Sequence, residues 1–168
     1  MISIMLLTAL TSGLYGILHD QITYTLSPEY YTKLKFAQFA WADAGLGERW
    51  LVSTIGFVAT SWLGLIGGWV LARRFVHGQR RAVAYRQTAE GLACILTTTA
   101  VGGCLGYAHG MWLGPGTDLS SWSWTIEQYG ISDHWAFVRV AYIHNASYFG
   151  AALGLVAALL LIRPARQA

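Results

Sequence analysis

The chain has 168 residues, of which 55% are hydrophobic and only 11% charged, and its mean hydropathy is +0.43. A soluble domain carries about 25% charged residues, so this composition excludes a water-soluble fold and points to one integral membrane domain over residues 1–168. The net charge of +3 and pI near 9.0 do not indicate a nucleic-acid partner, because the basic residues gather in one loop and one tail, as membrane topology requires.

Taken in order, the first apolar run covers residues 2–19 and stops at His19-Asp20. It has no basic residue before Lys33, and Leu18-His19-Asp20 is a poor cleavage site. It therefore reads as an uncleaved first span, not a signal peptide. Ile22–Leu26 is β-branched and aromatic and is expected to be an extended link. Ser27-Pro28-Glu29 then has the marks of a helix start: a serine cap, proline at the first helical position and an acid in the first turn. Residues 28–42, PEYYTKLKFAQFAWA, mix aromatics with Lys33 and Lys35. This pattern predicts an amphipathic helix in the membrane interface, rings toward lipid and ammonium groups toward water.

The second span is expected over 50–72, the third over 88–113 and the fourth over 136–162, each long enough for ~30 Å of hydrocarbon. The first is short and the third polar, so both are expected to line the bundle. Gly102, Gly106 and Gly110 recur every fourth residue on the third span, as do Ala146, Gly150 and Gly154 on the fourth. Small residues at this spacing let helix backbones approach closely in lipid, which predicts that these two spans are neighbours. Cys94 and Cys104 lie ten residues apart on one predicted helix, ~15 Å by helical rise, too far for a disulfide.

Seven of the eleven basic residues (Arg73, Arg74, Arg80, Arg81, Arg86, Arg163 and Arg166) fall on one side of this topology. By the positive-inside rule that side is cytoplasmic, which places both termini inside a bacterial inner membrane. All the acids except Glu90 fall on the other side. Glu90 is expected to pair with Arg86, and Arg139 to snorkel or to pair with Glu127 or Asp133. His77 and His134 read as surface residues. Six of the eight tryptophans mark the outer boundary as an aromatic belt.

The chemistry-bearing residues collect in the outer leaflet. His19 and Asp20 end the first span, His109 lies about one turn from the end of the third, and His144 about two turns into the fourth. Glu29, Asp133 and His134 stand near the rim. Ionisable groups within a span are costly and normally face the bundle interior. Tyr15 with His19, and His144 with Tyr148 beside Ser147, form polar stripes at helical spacing. The set His19, Asp20, Glu29, His109 and His144 suits a transition metal such as Zn, Fe or Cu, with Asp20 and Glu29 as ligand, as hydrogen-bond acceptor of a ligating histidine, or as general base. Two of the histidines on facing helices also suit haem. A structural reading competes: a hydrogen-bond network that fixes helix register in an accessory subunit of a membrane complex or a homo-oligomer. No HExxH or ExxH spacing supports the metal locally. No inverted repeat supports a transporter.

The stretch YGILHDQITYTLSPEYYTKLKFAQF, with ATSWLG at 59–64 and the later YIHNASYFG, resembles an uncharacterised family of small bacterial membrane proteins with an HDQ-T-Y…PEY-T-K-KF pattern. The resemblance covers about a third of the chain. It implies a four-helix inner-membrane protein and touches His19, Asp20, Gln21, Glu29 and Tyr30, but carries no activity or catalytic residue. The expectation is an all-α four-helix membrane bundle with an outward polar site.

Overall fold

A computed structural model describes residues 1–163, and the expected tail residue Arg166 lies outside them. The helices are α1 (Ile2–Leu26), α2 (Phe36–Gln38), α3 (Glu48–Phe75), α4 (Arg81–Leu113), α5 (Ser123–Tyr129) and α6 (His134–Leu161). A π-helical stretch, Tyr30–Lys35, leads into α2, and single 3-10 turns occupy Ala40–Ala42 and Ser120–Trp122. Among the described residues there is no strand. Helices α1, α3, α4 and α6 are long and apolar enough to cross a membrane, so the fold is the expected all-α membrane bundle.

Every span is longer than the apolar run that predicts it, most of all α1. It does not stop at His19-Asp20 and continues through Ile22–Leu26, the stretch expected to be extended. Side chains fastened to α3 explain the difference. Gln21 Nε2 donates to the Arg49 carbonyl oxygen at 2.8 Å and to Ser53 Oγ at 2.9 Å. Arg49 returns a bond to Gln21 Oε1 at 2.8 Å and lies 4.5 Å over the Tyr24 ring, whose hydroxyl donates to Glu48. Tertiary fastening of this kind overrides the weak helix propensity of β-branched residues.

The bundle is built from two tight helix pairs, α1 along α3 and α4 along α6, with sparse contact between the pairs. Small residues make both seams. As the glycine spacing predicts, α4 and α6 are neighbours. A Cβ added at Gly106 would lie 2.8 Å from the Tyr142 carbonyl carbon, and one at Gly154 would lie 2.7 Å from Ile95 Cα. The α1–α3 seam was not foreseen. Gly16 and Gly56 face each other, Gly64 faces Ser12 and Gly68 faces Thr8. Thr60 Oγ1 also donates across the seam to the Ser12 carbonyl oxygen at 2.8 Å. Cys94 and Cys104 are both free.

Arg73 and Arg74 of α3, Arg80 of the following loop, and Arg81 and Arg86 of α4 gather at one end of the bundle, where Arg86 pairs with Glu90 at 3.5 Å as expected. A small apolar cluster of Leu71, Phe75 and Ala158 lies toward that end. The larger core lies toward the other end, and includes Tyr24, Tyr30, Tyr31, Val52, Phe137, Val138, Val140 and Ile143. Among the described residues Arg139 pairs with no acid. Its guanidinium lies 4.3 Å over the Trp135 ring and donates to Met111 Sδ at 3.2 Å.

The segment after α1 departs from an amphipathic helix with rings toward lipid. Ser27 is buried and extended, and the chain turns back at Pro28. Tyr30 and Tyr31 then point into the bundle, 7% and 0% exposed. A two-aromatic step in a chain that has just reversed beside α1 has apolar surface to cover, and burying the rings there gains more than laying them on lipid.

Candidate functional site

Three helical segments deliver the cluster. His19 and Asp20 come from α1 and His144 from α6, ten residues past its start, and the Tyr30–Lys35 turn covers them. Asp20 continues the small-residue face of α1 (Thr8, Ser12, Gly16), so it points toward α3 and the interior. Only 4% of Asp20 and 4% of His144 is exposed. Ligand atoms of His19, Asp20 and His144 all lie within 4.8 Å of one another. The His19 and His144 rings meet edge to face at 4.8 Å between centroids.

Tyrosines enclose the imidazoles. Tyr30 stacks on His144 at 4.9 Å and 13° between planes. The Tyr31 hydroxyl sits between Thr23 Oγ1 at 2.6 Å and His144 Nε2 at 3.3 Å. Tyr15 stacks on His19 at 5.8 Å, and Tyr148 tilts against His144 at 6.4 Å, as the i, i+4 spacings predict. Lys35 reaches over the Tyr30 ring, 5.7 Å from its centroid. Burial pulls the Lys35 ammonium below its ordinary pKa, against the nearby Asp20 carboxylate, which pushes it up. Burial, and then the Asp20 charge, raise the Tyr31 phenol above its ordinary pKa, so it stays a protonated donor.

Two polar atoms here have no hydrogen-bond partner although they are buried: His19 Nε2 and Ser147 Oγ. Both border Gly103 of α4. A Cβ there would lie 2.8 Å from Ser147 Oγ and 3.8 Å from His19 Cε1.

Two expected members of the site are elsewhere. His109 is exposed and packs on Tyr142 and Trp112, at 4.9 and 6.1 Å. It lies six residues beyond Gly103, which at 3.6 residues per turn rotates it about 120° off the face that Gly103 presents to the cluster. Glu29 is also apart. Its carboxylate accepts from the backbone N–H groups of Ser132 and Asp133, both at 2.8 Å, and pairs with Lys33 at 3.0 Å. Burial pushes the Glu29 pKa up, but the Asp133 N–H, the Lys33 ammonium and the Ser132 N–H outweigh it and hold the group at about 2. Glu29 is thus a clip between the Tyr30–Lys35 turn and the start of α6, where Asp133 caps the helix through Ala136 N–H at 2.9 Å. Lys33 adds a bond to the Gly130 carbonyl oxygen. His77 and His134 are exposed, as expected.

Sequence reasoning missed Tyr31, Thr23 and Lys35 as neighbours of the imidazoles, because ending α1 at residue 19 hides the reversal that folds them back. Gln21 bonds to the Arg49 carbonyl oxygen and Ser53 of α3, and Lys33 pairs with Glu29.

The geometry also bears on haem. Two axial imidazoles on opposite faces of a haem hold their centroids roughly 6 Å apart at metal–nitrogen bonds of about 2 Å. His19 and His144 are closer and perpendicular, and Tyr30 covers one face of His144. No macrocycle fits between them. A single ion needs far less space. Three donors bound tetrahedrally at about 2.0–2.2 Å stand roughly 3.3 Å apart, so the widest pair in this set closes by at most about 1.5 Å.

Fold and cluster together define an all-α integral membrane protein with two histidines and an aspartate buried side by side at one end of its bundle. Comparison with protein-family models, curated proteins and solved structures finds no match for this chain.

Proposed function

We propose that the protein binds a transition-metal ion through His19, Asp20 and His144. The observation that carries this reading is that ligand atoms of His19, Asp20 and His144 lie within 4.8 Å of one another, and His19 also has a buried Nε2 without a partner. Asp20 adds to it. A carboxylate within a span costs roughly 2.5–3.5 kcal/mol, yet Asp20 is buried and, among the described residues, forms no ion pair within 4.0 Å. A bound cation would compensate that charge. Imidazole and carboxylate donors suit Zn, Fe or Cu. The enclosure by Tyr30, Tyr31 and Tyr148 suits electron transfer or small ligands and does not suit hydrolysis of a bulky substrate.

We also place the protein in a bacterial inner membrane, with the arginine-rich end cytoplasmic and the metal site toward the periplasm. A reporter fused at residue 78 then reads cytoplasmic and one at residue 120 external. The opposite pattern overturns the orientation.

The test of the metal site is elemental analysis of protein purified without chelator. One equivalent of a transition metal per chain is expected, lost in Asp20→Asn and His144→Ala and kept in His109→Ala and Glu29→Gln. Wild-type protein with no stoichiometric metal overturns it. A second reading has its own support in the Tyr31 hydroxyl, which links Thr23 to His144: the cluster is a hydrogen-bonded lock that sets helix register in an accessory subunit. That reading predicts no metal and a lower melting temperature for His144→Ala.

A further inference from the structure

We infer that the arginine-rich end of the bundle binds the headgroup of an anionic phospholipid, with its phosphate in a cavity between the starts of α1 and α4. This end lies opposite the histidine cluster, and nothing in the site depends on a metal ion. The cavity measures about 270 Å³. A water molecule's share of liquid is roughly 30 Å³, so a phosphate group with a short polar substituent fits. Ser3 and Ile4 of α1, Gln79 of the loop after α3, and Arg81, Ala84 and Tyr85 of α4 line it.

The lining sets hydrogen-bond donors beside positive charge that no acid compensates. Glu90 pairs with Arg86. Among the described residues Arg73, Arg74, Arg80 and Arg81 pair with no acid. Helix α4 also begins against the usual charge rule. Arg80 is its N-cap and Arg81 its first residue, no side chain caps it, and its first turn holds no acid. The positive end of a helix disfavours cations and favours anions, so an anion beside Arg81 offsets both. A guanidinium takes two phosphate oxygens at once. Ser3 Oγ and Tyr85 Oη lie 2.6 Å apart; one hydroxyl proton bridges them, and the other is left to donate to a ligand. Gln79 Oε1 is buried with no partner, an acceptor that a hydroxyl on the headgroup would satisfy.

The surroundings favour a lipid over a free anion. The cavity lies where α1 and α4 begin, at the depth of lipid headgroups, and basic pockets between spans at this level hold phospholipids. Ser3 shares one face of α1 with Leu7, Leu10 and Leu14, each about half exposed. Helices α1 and α4 belong to different pairs and contact each other sparsely. An acyl chain therefore has an apolar track leading away from the phosphate.

The test uses delipidated full-length protein in a neutral detergent, with native mass spectrometry counting bound lipid. Phosphatidylglycerol is expected to bind at one per chain, at least tenfold tighter than phosphatidylcholine, and a large excess of inorganic phosphate should not displace it. Arg81→Gln should weaken phosphatidylglycerol at least tenfold and Gln79→Leu several-fold. Arg86→Gln removes the same charge from the same end but does not line the cavity, and it should leave binding unchanged. If Arg81→Gln fails to fold, Arg81→Lys decides, since it keeps the charge, loses the planar fork and should bind several-fold more weakly. Absence of bound phosphatidylglycerol, equal affinity for the two lipids, equal loss in Arg81→Gln and Arg86→Gln, or no loss in Arg81→Lys overturns the site. Displacement by inorganic phosphate overturns the lipid in favour of a free anion.

Discussion

Replacing Gly56 by alanine tests whether close backbone approach holds the α1–α3 pair together and positions Asp20. The new Cβ would stand 2.8 Å from the Gly16 carbonyl carbon and 3.0 Å from Asp20 Cβ, where ordinary contact begins at 3.4 Å. The Gly16 carbonyl oxygen lies closer still, so a shortfall of ~0.6 Å or more lies against backbone, which cannot swing aside as a flexible side chain would. Overpacking of this kind costs about 1–3 kcal/mol. The alanine recovers up to ~1 kcal/mol of helix propensity, so a net loss of about 1–2 kcal/mol is expected. Gly67→Ala on the same helix is the control. Nothing lies within 4 Å of its new Cβ, so it gains the propensity term alone and should stabilise by up to ~1 kcal/mol. Thermal melts of both variants in the same detergent decide the matter. Equal melting temperatures for Gly56→Ala and Gly67→Ala would refute the argument. The crowding also bears on Asp20, so Gly56→Ala should weaken metal binding and Gly67→Ala should leave it unchanged.

Other expectations follow from single contacts. Glu29 holds its pKa at about 2 against an ordinary 4.5, so its stabilising contribution is complete above about pH 4.5 and fades as pH falls toward 2. Wild-type melting temperature should therefore drop between pH 5 and pH 3 more steeply than that of Glu29→Gln, and parallel curves would contradict the clip. Tyr31→Phe strips a partner from Thr23 Oγ1 and His144 Nε2 and should cost about 1–3 kcal/mol, read by melting; an unchanged melt would show that the hydroxyl is idle. Arg139→Gln removes the guanidinium from the Trp135 face and should cost roughly 1–2 kcal/mol, with Arg139→Lys intermediate; a lysine variant as weak as glutamine would argue that only the planar stack matters.

Much of this fold was legible because lipid imposes few solutions. Four apolar runs fix four helices, and Gly102, Gly106, Gly150 and Gly154 announce the α4–α6 seam. The α1–α3 seam was hidden because Thr8, Ser12 and Thr60 take part in it, and hydroxyl residues do not stand out as packing residues. The site was half legible. His19, Asp20 and His144 could be gathered from topology, since depth along a helix follows from residue number. Rotation about the helix does not follow from depth, and His109 shows it: it lies at a plausible depth on the wrong face. Glu29 was misplaced for another reason. Its place near the outer rim suggested a shared site, but two N–H groups at the start of α6 are a better partner for a carboxylate than a crowded cluster. The tyrosines were misdirected because a reversal at Ser27-Pro28 cannot be seen once α1 is ended too early.

The division of the cluster between the two helix pairs has a consequence for biogenesis. His19 and Asp20 belong to α1 and are translated before His144, which belongs to α6 in the other pair. On the proposed metal reading, an α1–α3 unit made first would carry two of the three donors, and capture of an ion would report that α6 has docked. The ion would then clasp the pairs beside the apolar core that Tyr24, Val52, Phe137 and Ile143 already share across them, and a chain without it would be joined there by packing alone.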